Sequence, residues 1–198
     1  MHIFSGVYKS RKIIAPKGEK TRPTSGRLRE ALFNICQGEI RGTDFLDLFA
    51  GSGALGLEAL SRGAERATFV DNSRESIRCI HQNLDAFGIS KNGEVIYSDV
   101  FEAMKKLAKS GRCFDMIYAD PPYETFVLEN QEKHSLSTQV LAVLDDLIEL
   151  KLPLLKDGGI VFLEDAPGSL PDEKIFRHLV LEDRRKMGRS ALQCWGLR

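Results

Sequence analysis

From Asp44 onward, short runs of β-branched and aromatic residues alternate with amphipathic stretches, a pattern that predicts strands joined by helices in a mostly parallel sheet. Strands are expected at 44–49 (DFLDLF), 66–70 (RATFV), 94–97 (EVIY), 114–119 (FDMIYA) and 159–164 (GIVFLE). Helices are expected between them at 54–62, 73–87, 100–109 and 136–151. In the second of these, Ile77, Ile80, Leu84 and Phe87 share one stripe of period 3.6, the face by which a helix packs on a sheet. The alternation stops near the end. Residues 175–186 (IFRHLVLEDRRK) and 190–195 (SALQCW) are β-compatible runs around Gly188, too close together for anything but an antiparallel hairpin. Ahead of Asp44, residues 25–36 place Leu28, Leu32 and Ile35 on one helical face, and residues 1–22 read as an extended basic arm.

Composition adds little to this until it is divided along the chain. The 198 residues carry 28 Lys and Arg against 28 Asp and Glu, and 42% are hydrophobic, as in one ordinary globular domain rather than a disordered, collagen-like or coiled-coil chain. A zero net charge argues against an acidic partner. Yet residues 1–41 hold Lys9, Arg11, Lys12, Lys17, Lys20, Arg22, Arg27, Arg29 and Arg41 against only Glu19, Glu30 and Glu39, a charge of +6 that the remaining residues balance with −6. Arg184, Arg185, Lys186, Arg189 and Arg198 follow the last acid, Asp183, and extend the basic character at the other end. No apolar run reaches the ~18 residues of a membrane span, and MHIFSGVYKSRK lacks the apolar block of a secretory leader, so a cytoplasmic location is expected. Cys36, Cys79, Cys113 and Cys194 lie far apart with no paired spacing, as do His2, His81, His134 and His178; reduced thiols and no metal site are expected.

Two segments carry chemistry. DLFAGSGALG sets Gly51, Ser52, Gly53 and Gly56 between a strand and a helix, where a sharp turn lets backbone approach a ligand and a helix N-terminus offers free N–H groups. The next strand ends in Asp71, whose carboxylate can accept both hydroxyls of a ribose. Asp99, after the third strand, either faces an adenine amino group, caps the following helix, or does both. Asp47, inside the first strand, needs buried partners and finds them most readily in the loop it precedes. The second segment is Asp120-Pro121-Pro122-Tyr123. Its prolines remove two N–H donors and fix φ, so the Asp120 and Pro121 carbonyls face outward with the Asp120 carboxylate, and the Tyr123 ring can stack on a planar group. Such an acceptor-only pocket suits an exocyclic amine of a nucleobase.

DLFAGSGALGLEALSRGA, the VDNS turn and FDMIYADPPY together resemble the S-adenosylmethionine-dependent methyltransferases of the class I fold, in which (D/N)PP(Y/F/W) marks amino-group methylation. The opening FSGVYKSRKIIAPKGEKTRPTSGRLREALFNI is similar to that of the RsmD family, bacterial 16S ribosomal RNA guanine-N2 methyltransferases whose usual target is guanine 966. The resemblance runs from residue 3 to the terminal KMGRSALQCW. It implies an α/β, Rossmann-like, mostly parallel seven-stranded sheet with helices on both faces and a C-terminal antiparallel hairpin. Residues 1–40 would be a basic arm and helix packed on a methyltransferase domain at 41–198, the whole a single globular unit and a monomer. S-adenosylmethionine would be the cofactor. Gly51, Ser52 and Gly53 would cradle its methionine moiety, Asp71 would hold the ribose hydroxyls and Asp99 would face the adenine, with Asp47, Asn72 and Val100 as further cofactor-binding residues. Asp120, Pro121, Pro122 and Tyr123 would receive the flipped-out guanine. Lys9, Arg11, Lys12, Arg22, Thr24 and Arg27 would hold 16S ribosomal RNA or the assembling small subunit. Three rivals stay open on the residues alone: methylation of another amine such as adenine N6, a nicotinamide-dependent oxidoreductase, and a non-catalytic RNA-binding module.

Overall fold

Nine strands and five helices follow one another in the computed structural model, which describes residues 1–16, 26–36, 38–122, 126–129, 132–166, 171, 176–188 and 190–198, with the side chains of residues 27, 126–129 and 132–134 not included. Seven strands make one sheet in the order β3-β2-β1-β4-β7-β9-β8, and β5 and β6 make a separate two-stranded one. Contacts group the chain into two compact units, Met1–Ala103 and Met104–Arg198.

The first unit begins with helix α1 (Gly26–Ile35), then runs β1 (Asp44–Leu48), α2 (Ala54–Arg62), β2 (Arg66–Asp71), α3 (Arg74–Phe87), β3 (Gly93–Tyr97) and the start of α4 (Val100–Lys109). Its strands pair in parallel, β1 with β2 from Asp44↔Arg66 to Leu48↔Val70 and β2 with β3 from Ala67↔Gly93 to Asp71↔Tyr97, so all three end at one edge. Parallel strands buried on both faces read as continuous apolar runs, and Phe45, Leu46, Leu48, Ala67, Phe69 and Val70 are all buried here. The stripe on α3 packs as expected through Ile80, Leu84 and Phe87, joined by Cys79.

The arm departs from its expected form. Residues 1–16 are not extended but fold back on themselves, with an antiparallel bridge His2↔Lys12 and a chain reversal in which Ser10 takes φ 68°. The reason is packing. Ile3 and Ile13 are both buried, and the arm's backbone is stitched to α2: Phe4 and Ser5 donate their N–H groups to the buried Glu58 carboxylate at 2.8 and 3.0 Å, and Val7 and Tyr8 to Ser61. Glu58 also accepts from Arg62 at 2.8 Å, one turn on.

The second unit continues α4 and adds β4 (Phe114–Ala119), β5 (Phe126–Glu129), β6 (Glu132–Ser135), α5 (Leu136–Glu149), β7 (Leu155–Asp165), β8 (Leu179–Met187) and β9 (Ser190–Leu197). β4 pairs with β7 in parallel, β9 runs antiparallel to both β7 and β8, and the terminal hairpin turns between Met187 and Ser190. β5 and β6 were not expected: each has four residues, too few to show a period. β7 starts four residues before the expected strand, because Phe114↔Leu155 and Met116↔Ile160 enclose a bulge at 156–159 whose Asp-Gly-Gly reads as a turn in sequence.

Candidate active site

The chain leaves β1 through a strained residue. Phe49 takes φ 59°, a left-handed conformation that a bulky side chain adopts only when its surroundings impose it. Gly51 and Gly53 follow with φ 56° and 76°, and Gly53 is the N-cap of α2, a conformation that any side chain would make costly. Two residues into α2, a Cβ at Gly56 would lie 2.3 Å from the Phe69 ring, so glycine there is what lets the helix sit against β2.

Two carboxyl groups hold this loop. Asp47, fully buried in β1, accepts the Gly56 N–H at 3.0 Å, and burial pushes its pKa up to about 8, the nearby Asp71 charge adding to the rise. Asp71, at the end of β2, accepts Gly51 N–H on Oδ2 and Ser73 N–H on Oδ1, both at 2.8 Å. The loop's peptide planes are therefore unequal. The Ala50–Gly51 peptide is fixed at both ends, its carbonyl by Gly53 N–H (2.7 Å) and its N–H by Asp71. The Ser52–Gly53 peptide is fixed by Asn83 and by Ala50. Between them, the Gly51 carbonyl and Ser52 N–H take part in no hydrogen bond among the described residues, and a Cβ at Gly51 would meet nothing nearer than 4.0 Å. One peptide is left with a donor and an acceptor that no described group takes.

Farther along the same edge, Ser73 caps α3 by accepting from Ser76 N–H, and Asn72 beside it is exposed. Asp99 is exposed and caps α4 through Oδ1, which accepts from Phe101 and Glu102 N–H at 3.0 and 3.2 Å, so the capping role is realised and Oδ2 takes no described bond. Val100 is buried in the helix it opens. Arg74 lies over the exposed Tyr97 ring, 5.9 Å from its centre.

In the second unit, β4 ends at Ala119 and Asp120 and Pro122 bracket a buried Pro121; Tyr123 lies outside the described residues. Around this strand end the polar groups are packed inward. Tyr118 donates its hydroxyl to the buried Glu164 of β7 at 2.9 Å. Asp165 is buried with its Oδ2 unpartnered among the described residues, and burial raises its pKa although its Oδ1 accepts the Ala166 N–H. Gln193, opposite Leu163, accepts Trp195 Nε1–H at 3.1 Å and leaves its buried Nε2 without a partner among the described residues.

The basic candidates divide. Lys9 and Lys12 are exposed. Arg11 points back: its Nη2 donates to Ala86 O and its Nη1 to Phe87 O, with the guanidinium 4.6 Å from the Phe87 ring centre, so it sits on the C-terminal carbonyls of α3. Arg22 and Thr24 lie outside the described residues, as does the side chain of Arg27, whose backbone belongs to the first turn of α1.

Asn83, Glu58, Glu164 and Phe49 were missed in sequence. For Asn83 a signal existed: it falls on the apolar stripe of α3 between Ile80 and Leu84, where a polar residue must have buried partners. The others carried none, since Glu58 looks like an ordinary helix acid and a residue's φ leaves no mark in its letter.

The chain matches the family model described as "Conserved hypothetical protein 95" over residues 1–196. A protein of Bacillus subtilis (strain 168) provisionally named an rRNA methyltransferase is 37% identical over 172 residues, 87% of this chain and 86% of its own length. The ribosomal RNA small subunit methyltransferase D of Escherichia coli (strain K12) is 33% identical over 175 residues, 86% of each chain. A solved structure from Escherichia coli, provisionally named a methyltransferase, superposes with a TM-score of 0.78 at 31% identity, covering 100% of this chain and 97% of that one. A match of this extent along sequence and fold, on the same segments that hold the glycine loop and the DPP turn, makes the chain a member of the RsmD family.

Proposed function

We propose that this protein transfers a methyl group from S-adenosylmethionine to the exocyclic N2 amine of a guanine in 16S ribosomal RNA, at the position numbered 966. The observation that carries the reading is the pairing, in one chain, of a carboxylate-held glycine loop with a Pro-Pro acceptor turn at the end of a parallel strand.

The residues present fit the cofactor. The unbonded Gly51 carbonyl and Ser52 N–H match the ammonium and carboxylate of an amino acid, and the open space beside Gly51 admits it. Each Asp71 oxygen has accepted one N–H and keeps a second lone pair for a ribose hydroxyl. Asp99 is exposed and its Oδ2 takes no described bond, which supports a contact with the adenine amine. When bound, S-adenosylmethionine supplies an electrophilic methyl group and its own leaving group. The protein's work is then to bind and orient. Asp120 accepts one N2–H of the guanine and the Pro121 carbonyl the other, which turns the nitrogen lone pair outward; Pro122 offers no competing N–H, and Tyr123 stacks on the ring. Asp120 takes the proton that N2 releases. The target base must be unpaired or flipped out, with Lys9, Lys12, Arg22, Thr24 and Arg27 holding the strand.

Transfer of labelled methyl from the cofactor to 16S ribosomal RNA, followed by mapping of the modified nucleotide, tests this. N2-methylguanine at the expected position is the anticipated product. N6-methyladenine, or label in protein, would overturn the guanine assignment. If about three side chains touch single-stranded phosphates, log K falls with log salt with a slope of about −2.

A further inference from the structure

Asn83 is a fully buried amide in the middle of α3 that makes three hydrogen bonds. Its Oδ1 accepts Ile14 N–H at 2.8 Å, and its Nδ2 donates to Ile14 O at 2.9 Å and to Ser52 O at 3.0 Å. The orientation of the amide is forced, because an N–H can only donate and the two carbonyls can only accept. With both polar groups of Ile14 taken by one side chain, the arm is held as a neighbouring strand would hold it. The same amide fixes the carbonyl of the Ser52–Gly53 peptide, which Asp71 does not reach.

The other contacts of the arm lack this double reach. Glu58 and Ser61 bind Phe4, Ser5, Val7 and Tyr8, and neither touches the glycine loop. Asn83 alone among the described side chains bonds to both segments.

We propose that Asn83 is a positioning residue that couples the N-terminal arm to the cofactor loop, so that cofactor binding orders the arm and a held arm tightens cofactor binding. By linkage the two effects are equal in free energy. The inference rests on the methyltransferase reading for the identity of the ligand, and on the observed bonds alone for the coupling.

The test uses the full chain, S-adenosylhomocysteine as probe, and two variants at the position. Asn83→Ala removes all three bonds; Asn83→Asp keeps the size and the acceptor for Ile14 N–H while losing both donors. Ser61→Ala, which loosens the arm only at Ser5 and Tyr8 and leaves the Asn83 bonds to Ile14 and Ser52 in place, is the control. By calorimetry the Asn83 variants should bind the probe roughly tenfold more weakly, as expected for one lost buried hydrogen bond, and Ser61→Ala within about twofold of the parent. By amide hydrogen exchange the probe should slow residues 3–16 as well as 50–53 in the parent, and only 50–53 in the Asn83 variants. Unchanged affinity in both variants, or arm protection that persists in them, overturns the coupling. If the parent binds no probe, the methyltransferase reading fails instead, and exchange in the free protein still decides. Asn83→Asp should then speed both segments and Ser61→Ala the arm alone; acceleration confined to the arm in Asn83→Asp overturns the proposal.

Discussion

At the carboxyl ends of the strands, the two units use buried acids in different ways. In the first, Asp47 and Asp71 each accept backbone N–H groups from the loop or turn beside them, and the acids become part of its frame. In the second, Glu164 accepts a tyrosine hydroxyl, Asp165 accepts the adjacent Ala166 N–H on Oδ1 but keeps its buried Oδ2 unpartnered, and Gln193 keeps a buried NH2 unpartnered, both among the described residues. Away from the strand ends this contrast vanishes, since Asp145 of α5 accepts Arg177 and His178 N–H much as Glu58 accepts those of the arm. The difference teaches that the first unit is built to hold one loop shape, as the proposed cofactor loop requires. The second leaves buried polar atoms outside any such frame among the described residues, and carries Asp120 and the prolines at the end of β4.

The sharpest way to break this comparison is to remove Asp120. If the second unit supplies acceptors to the amine and no part of the cofactor frame, Asp120→Ala should lower methyl transfer by about a thousandfold or more, while affinity for S-adenosylhomocysteine stays within about twofold. Single-turnover label transfer and calorimetry read the two quantities. Turnover near the parent's would take Asp120 out of the chemistry; a large loss of affinity would move it into the frame.

Asp71→Ala should do the reverse, and less steeply. It would remove the proposed ribose acceptors and would orphan Gly51 and Ser73 N–H, so cofactor affinity should fall about a hundredfold with a lowered melting temperature. The rate at saturating cofactor should change little. Loss of rate without loss of affinity would contradict the division of labour between the units.

Asp47 offers a pH test of the frame. Its pKa is pushed up to about 8 from 3.8, mainly by burial, so between those values the folded protein holds a proton that the unfolded chain has released. Folding therefore loses stability as pH rises through that window. Asp47→Asn keeps an acceptor for Gly56 N–H and cannot ionise, so its urea midpoint should hold from pH 5 to pH 8 while the parent's falls. Parallel profiles for the two proteins would mean that Asp47 is not protonated in the fold.

What the sequence made legible was local. The glycine turn, the proline turn and the parallel strands depend on neighbours within a few residues, and their periods and breakers are written in order along the chain. Asn83 binds Ile14 across 69 positions and Glu58 binds Phe4 across 54, and no short-range pattern encodes such pairs. The same limit explains the arm: its β-formers predict extension, but Glu58, Ser61 and the burial of Ile3 and Ile13 decide that it folds back. Asp99 was read as cap, adenine contact or both, and geometry realises the cap because the helix that needs it starts at the next residue.

The smallest effect separates basic residues that look alike in sequence. α3 has no basic residue in its last turn, and Arg11 supplies that cation from the arm, donating to Ala86 O and Phe87 O over the Phe87 ring. A cation so placed stabilises the helix terminus by about 0.3–1 kcal/mol. Lys9 and Lys12 have no such task and are exposed. Arg11→Ala should therefore lower the unfolding free energy by that amount and leave the salt dependence of RNA binding as it was. Lys9→Ala and Lys12→Ala should each leave stability unchanged and reduce the salt slope by about 0.7 where the lysine meets a phosphate of single-stranded RNA. If Arg11→Ala instead flattens the salt slope without touching stability, its guanidinium leaves α3 for the RNA, and the arm is a nucleic-acid surface along its whole length rather than a brace that carries two lysines.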